Sequence, residues 1–513
     1  MFERFENLLH PYPDAEPALP PTGFFAFVWA CTEGMRGYLL ALALLSATLS
    51  AYEAWLFSVL GRVVDWAAQT PPGTFFSQHG GTLALFGGVL AASIALVALE
   101  SLVKRQTLAM NVPLRLRWNF HRIMLGQSMA FYADEYAGRV TTKVMQTGLA
   151  VREVLFATIE VVIGIAAYFV TIVALTAGFD PRLVLPFLAW MVLYAAASAY
   201  FVPRLARIGK VYADAKAKVT GRISDAYANI TTVKLFSHTQ RESAFLRQAL
   251  AESGEIGYEQ NRLITAFEIT NHALVVALLA GATGQALWLW SQGQVGPGAL
   301  AAVTAMSLRI GGMSHWIMWS FAGLFENVGT VQDGMATLGK PRQVVDAPEA
   351  RPLAVTRGEV RFEQVVFSYG GKAPVLRDFS LVVRPGEKIG LIGRSGAGKS
   401  TLVNLLLRFH DVEAGRILVD GQDIARVTQD SLRANIGMVT QDTSLLHRSV
   451  RDNIVYGRPG ATEEQMLAAA RRAQAHAFIG ELTDPKGRRG YDAQVGERGV
   501  KLSGGQRQRI AIA

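Results

Sequence analysis

Residues 393–401 read Gly-Arg-Ser-Gly-Ala-Gly-Lys-Ser-Thr. A triphosphate carries several negative charges that must be held without crowding. Gly393, Gly396 and Gly398 let backbone N–H groups turn inward and approach phosphate closely. Arg394, Ser395 and Ala397 complete the loop, and a helix starting near Lys399 offers its positive end to an anion. The Lys399 ammonium is placed to reach β- and γ-phosphates. The Ser400 hydroxyl, with Thr401 beside it, is placed to hold Mg2+. The residue types therefore point to binding of ATP with Mg2+.

A second element lies downstream. Leu502, Ser503, Gly504, Gly505 and Gln506 read LSGGQ. The elements that must position the first loop are legible too. Apolar β-like runs at 359–366, 379–383 and 388–392 precede the glycine loop, and the helical pattern LVNLLLRF follows it. Strand, glycine loop and helix stand in the order a phosphate loop requires.

The rest of the chain differs in kind. Residues 357–513 hold 41 of the chain's 91 charges, about 26% of positions; residues 1–356 hold the other 50, about 14%. The first density is that of a soluble domain, and the second suits a membrane region. Six stretches are long and apolar enough to span a bilayer: 38–60, 82–103, 154–178, 182–202, 266–290 and 298–322. The two long gaps, 104–153 and 203–265, hold eight and ten Lys and Arg, and the other three gaps hold Arg62 alone. The positive-inside rule puts the long gaps and both termini in the cytoplasm. It also explains the net charge of +9 without nucleic acid. The long gaps are expected to be helical extensions of the spans with turns at their tips. The first 22 residues, acidic and proline-rich, fit neither a secretory signal nor a transit peptide. The run GFFAFVW after them fits a helix lying on the membrane surface. The single cysteine, Cys31, excludes a disulfide scaffold and reads as a small apolar residue.

Ionisable residues within the spans are site candidates, because charge there normally faces a cavity or a partner. They are Glu53, Glu160, Glu268, His272, Arg309 and His315. Arg309 and Glu268 are the cavity candidates, with a structural ion pair between them as the plainer expectation. Gly311 and Gly312 mark a bend.

A phosphate loop with LSGGQ downstream resembles the ATP-binding cassette (ABC) family. Six spans fused ahead of one cassette resemble the half-transporter plan of ABC exporters. The resemblance implies an all-α transmembrane domain followed by an α/β P-loop domain. It divides the chain into a segment 1–22, a membrane domain 23–338, a linker 339–356 and a cassette 357–513. It implies that Tyr369 stacks on adenine, and that Gln441 joins the Mg2+ site to the transmembrane loops. Glu497, in VGERG, falls in the segment that contacts those loops. It also implies that two half-transporters, identical or different, face head to tail, with each ATP between one phosphate loop and the other chain's signature. The coupling segments then run from Asp134 to Gly138 and from Ala228 to Phe236. The implied function is ATP-driven export from an inner membrane. An importer of exporter-like fold, an inactive remnant and a soluble P-loop ATPase are the alternatives. The family pattern continues past the signature with an apolar strand ending in Asp, a catalytic Glu and a switch His. No such run occurs in 357–513, so a truncated product or an incomplete record is expected, with ATP hydrolysis well below that of a full-length relative.

Overall fold

The computed structural model describes residues 2–370, 373–394, 396–440, 444–496 and 502–513. It divides into two compact units, Met1–Arg342 and Gln343–Ala513.

The first unit is helical throughout. Short α1 (Phe2–Glu6) and α2 (Phe24–Cys31) precede α3 (Arg36–Gln69), α4 (Phe75–Ser101), α5 (Asn111–Leu125), α6 (Met129–Asp134) and α7 (Ala137–Ala157). Then come α8 (Ile165–Phe179), α9 (Val184–Ala228), α10 (Ile230–Leu235), α11 (Thr239–Ser291) and α12 (Pro297–Leu338). Two π-helical stretches, Leu102–Ala109 and Thr158–Gly164, link α4 to α5 and α7 to α8. In hydrocarbon every backbone polar group needs an internal partner, which leaves helices as the solution for these apolar runs. Among the described residues, five continuous helical stretches are long and apolar enough to cross a membrane: Arg36–Gln69, Pro72–Leu125, Ala137–Phe179, Pro181–Ala228 and Thr239–Ser291. The sixth expected span lies in α12, which misses that threshold because Arg309, Gly311, Gly312 and His315 dilute its apolar run.

The long gaps are helical, as expected. α9 and α11 have 45 and 53 residues, about 68 and 80 Å at 1.5 Å per residue, well beyond the ~30 Å of hydrocarbon. They run antiparallel, with Phe201 stacked on Phe267 at 4.9 Å and Lys218 bonded to Glu252 at 2.7 Å. Elsewhere α3 and α12 touch backbone to backbone: a Cβ on Gly61 would lie 2.7 Å from the Gly298 carbonyl. The Asp65 carboxylate accepts from the Gly298 N–H at 2.7 Å, which satisfies one orphan donor at the start of α12. Pro297 occupies the first turn, where it costs no hydrogen bond.

The amino-terminal segment is tied down rather than loose. Thr107, Asn111, Arg115, Trp118 and Arg122 recur along one helix face. They donate to the carbonyls of Phe5, Glu6, His10, Pro13, Asp14 and Ala15. Tyr38 donates to the Leu8 carbonyl, and Leu9 is buried in the core beside Phe27 and Met35. In α2 the rings of Phe25 and Trp29 are exposed while Phe27 and Cys31 are buried. Burial pushes the Cys31 thiol up to about 12, so it is an inert core residue.

The second unit has a four-stranded antiparallel sheet, ordered β2-β1-β3-β4, from β1 (Val360–Phe367), β2 (Leu376–Val383), β3 (Ala414–Val419) and β4 (Gln422–Asp423). Helices α13 (Lys399–Leu406) and α14 (Gln429–Ala434) pack on it through Leu402, Leu405 and Leu432. A second cluster gathers α15 (Val450–Ile454), α16 (Glu463–Arg472), α17 (His476–Glu481) and α18 (Gly504–Ile512) around Val450, Met466, Ile479 and Ile510. Two expectations need correction. Residues 388–392 pair with no strand among the described residues, and Ile392 is 98% exposed: the described ladders are all antiparallel, between β1, β2, β3 and β4, and 388–392 joins neither open edge of that sheet. The expected linker 339–356 is largely part of the cassette. Leu353 is in its core, Asp346 pairs with Arg408 at 3.4 Å, and the Arg351 carbonyl accepts from the Thr428 N–H.

Two outcomes follow. Gly298→Val puts a branched side chain into the Gly61 backbone, and should sharply lower the yield of folded protein in detergent gel filtration. Asp484 is buried, which raises its pKa. Donors from Gln494, Arg488 and Lys486 outweigh that and hold it at about 2. Its unfolded value is about 3.9, so its contribution is complete above that and is lost as pH falls toward 2. An acid unfolding curve followed by fluorescence should therefore steepen below about pH 4 in the native chain, and flatten in Asp484→Asn.

Candidate functional site: a phosphate loop and its surroundings

The glycine loop has the backbone its chemistry needs. Gly396 and Gly398 adopt φ of +83° and +86°, the left-handed region that other residues enter only under strain. A Cβ on Gly398 would also press on Val375 at 3.2 Å, while Gly396 faces open space. Gly398 is the N-cap of α13, whose first residue is Lys399. The Lys399 ammonium folds over the loop and donates to the carbonyls of Gly393 and Arg394 at 2.8 and 2.9 Å. A cation, a left-handed glycine turn and a helix start thus lie together, features that suit a triphosphate. Ser400 is exposed on the first turn of α13, open to an Mg2+ ion at the phosphates.

Tyr369 is held beside this loop. Its hydroxyl donates to Thr401 at 3.3 Å, and its ring is edge-on to Phe367 and His410 at 4.9 and 5.3 Å. The ring stays partly exposed, which leaves a face for a base. His410 escaped the sequence reading. The signal was its place at the end of LVNLLLRFH, one turn beyond the P-loop helix. Burial lowers its pKa, opposed by the charge of Asp411.

In the signature, Ser503 is the N-cap of α18 and forms a capping box with Gln506. Its Oγ accepts from the Gln506 N–H at 3.2 Å, and its own N–H donates to the Gln506 side chain at 2.9 Å. The serine oxygen is therefore already used by its helix, and its hydroxyl proton is what remains to donate. Leu502 is buried, while Gly504 and Gly505 are exposed at the helix start. Ser395, Gln441 and Glu497 lie outside the described residues.

Short helices α6 and α10 lie at the tips of the long ones. Asp134 ends the six-residue helix α6 and Gly138 is the second residue of α7; Ala228 ends α9 and Phe236 caps α10. Tyr136, Tyr227, Leu235 and Phe236 are all strongly exposed there. Glu135 is held by Lys340 at 3.0 Å.

Arg309 does not pair with Glu268. Its guanidinium bonds Glu53 of α3 at 2.7 Å. The α11–α12 register, fixed by Thr283 against Thr304 and Val275 against Gly311, sets Glu268 opposite the region of Met318. That is about 13 Å from Arg309 along the axis. Glu160 pairs with Lys104, one from each π-helical stretch. A cavity of about 530 Å3 between α9 and α11 is lined by Arg204, Arg207, Arg262 and Glu259 over Ile208 and Leu263.

Comparison with known proteins adds independent findings. A family model described as the ABC transporter transmembrane region matches residues 38–312, and one described as ABC transporter matches residues 376–513. A Haemophilus influenzae protein described as an uncharacterized ABC transporter ATP-binding protein is 49% identical over all of this chain and 84% of its own length. An ATM1-type heavy metal exporter of Novosphingobium aromaticivorans is 37% identical over 57% of this chain and 47% of its own. The solved structure of a bacterial Atm1-family ABC exporter with ATP bound superposes with a TM-score of 0.79 at 26% identity, covering 93% of this chain and 83% of that one.

The phosphate loop gives a direct test. A charge-assisted contact to phosphate is worth about 1.5–3 kcal/mol, so Lys399→Ala should weaken ATP binding by about 10- to 100-fold. Titration with a fluorescent ATP analogue reads this out, with circular dichroism confirming that the variant is folded.

Proposed function

This chain belongs to the ABC transporters, as an exporter-type half-transporter with its transmembrane and ATP-binding domains fused, and from that premise we propose how its residues divide the work. Two such chains pair, and ATP binds at Gly393–Thr401 of one copy against Ser503, Gly504 and Gly505 of the other. The adenine stacks on Tyr369. Ser400 and Gln441 hold Mg2+, which offsets phosphate charge. The turn at Asp134–Gly138 and the one at Ala228–Phe236, with Glu497, carry closure of the cassettes to the long helices. Both termini and both tips lie on the cytoplasmic side of an inner membrane, as the Lys and Arg of 104–153 and 203–265 indicate.

The observation that supports this most strongly is the Lys399 ammonium set over a left-handed glycine loop, in one chain with helices long enough to cross a bilayer and extend far beyond it. Exposed apolar rings at the tips also suit docking onto a moving partner surface.

The test is uptake by inside-out membrane vesicles containing the protein. An amphiphile panel should include probes that accumulate only with ATP, and not in vesicles carrying Lys399→Ala. Accumulation of no probe would refute export, and ATP-driven uptake in right-side-out vesicles alone would indicate import.

A further inference from the structure

Glu53 and Arg309 form an ion pair near the middle of the membrane unit. Arg309 lies at the centre of the apolar stretch 298–322. Glu53 is four residues, about 6 Å, from the centre of 38–60. Their side chains are 40% and 44% exposed on the helix surface. A half-exposed charge pair is costly against lipid tails, so this face does not meet lipid. The contrast with α4 supports that: its exposed residues include Leu85, Leu90, Ile94 and Val97, as a lipid face requires. The exposed stripe of α12 is instead Leu308, Arg309, Gly312, His315, Trp316 and Trp319.

The pair is not built as a moving latch. Gly61 and Gly298 hold α3 and α12 in backbone contact, and Asp65 ties the two ends together. Arg309 is therefore presented from a rigid helix pair, with Tyr168 buried beside it. The guanidinium gives an Nη2 N–H to Glu53, and a guanidinium carries five. The indole N–H groups of Trp316 and Trp319 add donors along the same stripe, His315 Nδ1 is turned to the Gly311 carbonyl at 3.3 Å, and Glu53 is the carboxylate paired with Arg309. Gly312 leaves open space between Arg309 and the tryptophans, and Trp316 lies two turns, about 10 Å, from Arg309.

We propose that this face of α12 is a cargo site for an amphiphilic anion. The acidic head binds Arg309, and a flat apolar body lies across Gly312 onto Trp316 and Trp319. Glu53 neutralises Arg309 between cargo molecules and competes with the incoming head. The proposal rests on the transport reading above and names its cargo class.

The test uses the full chain in nanodiscs of zwitterionic lipid, with pyrenebutyrate and pyrenebutylamine as probes that differ only in head charge. Energy transfer from tryptophan to pyrene is measured and empty nanodiscs are subtracted. Pyrenebutyrate should saturate at a concentration at least ten-fold lower than pyrenebutylamine. Glu53→Gln removes the competitor and should tighten pyrenebutyrate about 3- to 10-fold, whereas a merely structural pair would lose binding. Glu53→Gln combined with Arg309→Gln leaves no orphan charge, and should make the two probes equivalent. Equal binding of both probes to the native chain, preference for the amine, or weaker pyrenebutyrate binding in Glu53→Gln would overturn the proposal. Binding needs no ATP, so it is measured without nucleotide. Charge-selective binding without ATP-driven uptake would refute transport alone, and uptake without charge selectivity would refute this site alone.

Discussion

Hydrocarbon solvates neither charge nor an unpaired peptide group, and the membrane unit is shaped by that constraint. It forces apolar runs into unbroken helices. It requires each ionisable side chain within them to find a partner or an aqueous face. It also turns hydroxyls back onto their own helices, as Thr171, Thr176 and Ser307 do by donating to carbonyls one turn earlier. The charged pairs Glu53–Arg309 and Lys104–Glu160 answer the same constraint in two ways. One stays half open. The other joins two π-helical stretches whose wider turns re-aim the side chains, a form of helix often found at functional positions.

The cassette follows a different logic. Water can satisfy its loops, so it can expose the backbone N–H groups that bind phosphate. What it needs is rigidity under the loop, supplied by α13 anchored through Leu402 and Leu405. Tyr369 is fixed by an aromatic corner rather than by burial. Its hydroxyl bond to Thr401 links the residue proposed for the base to the helix proposed for the phosphates.

Much of this was readable from residue order alone. Glycines at 393, 396 and 398 followed by Lys-Ser define the loop whatever surrounds them, because few other residues tolerate the left-handed angles at 396 and 398. Five of six spans were equally plain, and the Lys and Arg counts already separated long gaps from short ones. Hydropathy gives a helix its length but not its rotation, so Arg309 was matched to Glu268 on the next span in sequence rather than to Glu53 across the bundle. His410 was passed over because a lone histidine has no signal until the rings around it are placed. Strand 388–392 was expected from its apolar pattern, but pairing is a property of neighbours and not of the segment.

The bonding of the amino-terminal strap sets how that segment can vary. Its captured groups are carbonyls, which every amino acid carries, and its five prolines from Pro11 to Pro21 bring no N–H groups that would need acceptors. Recognition is written on the side of α5 and not on the strap. Strap side chains other than Phe5, Leu9, Tyr12 and Pro20, which pack on the helices, can therefore drift without loss, whereas the polar row from Asn111 to Arg122 cannot. A region that looks like an unconstrained tail is a backbone ligand for the protein's own helix.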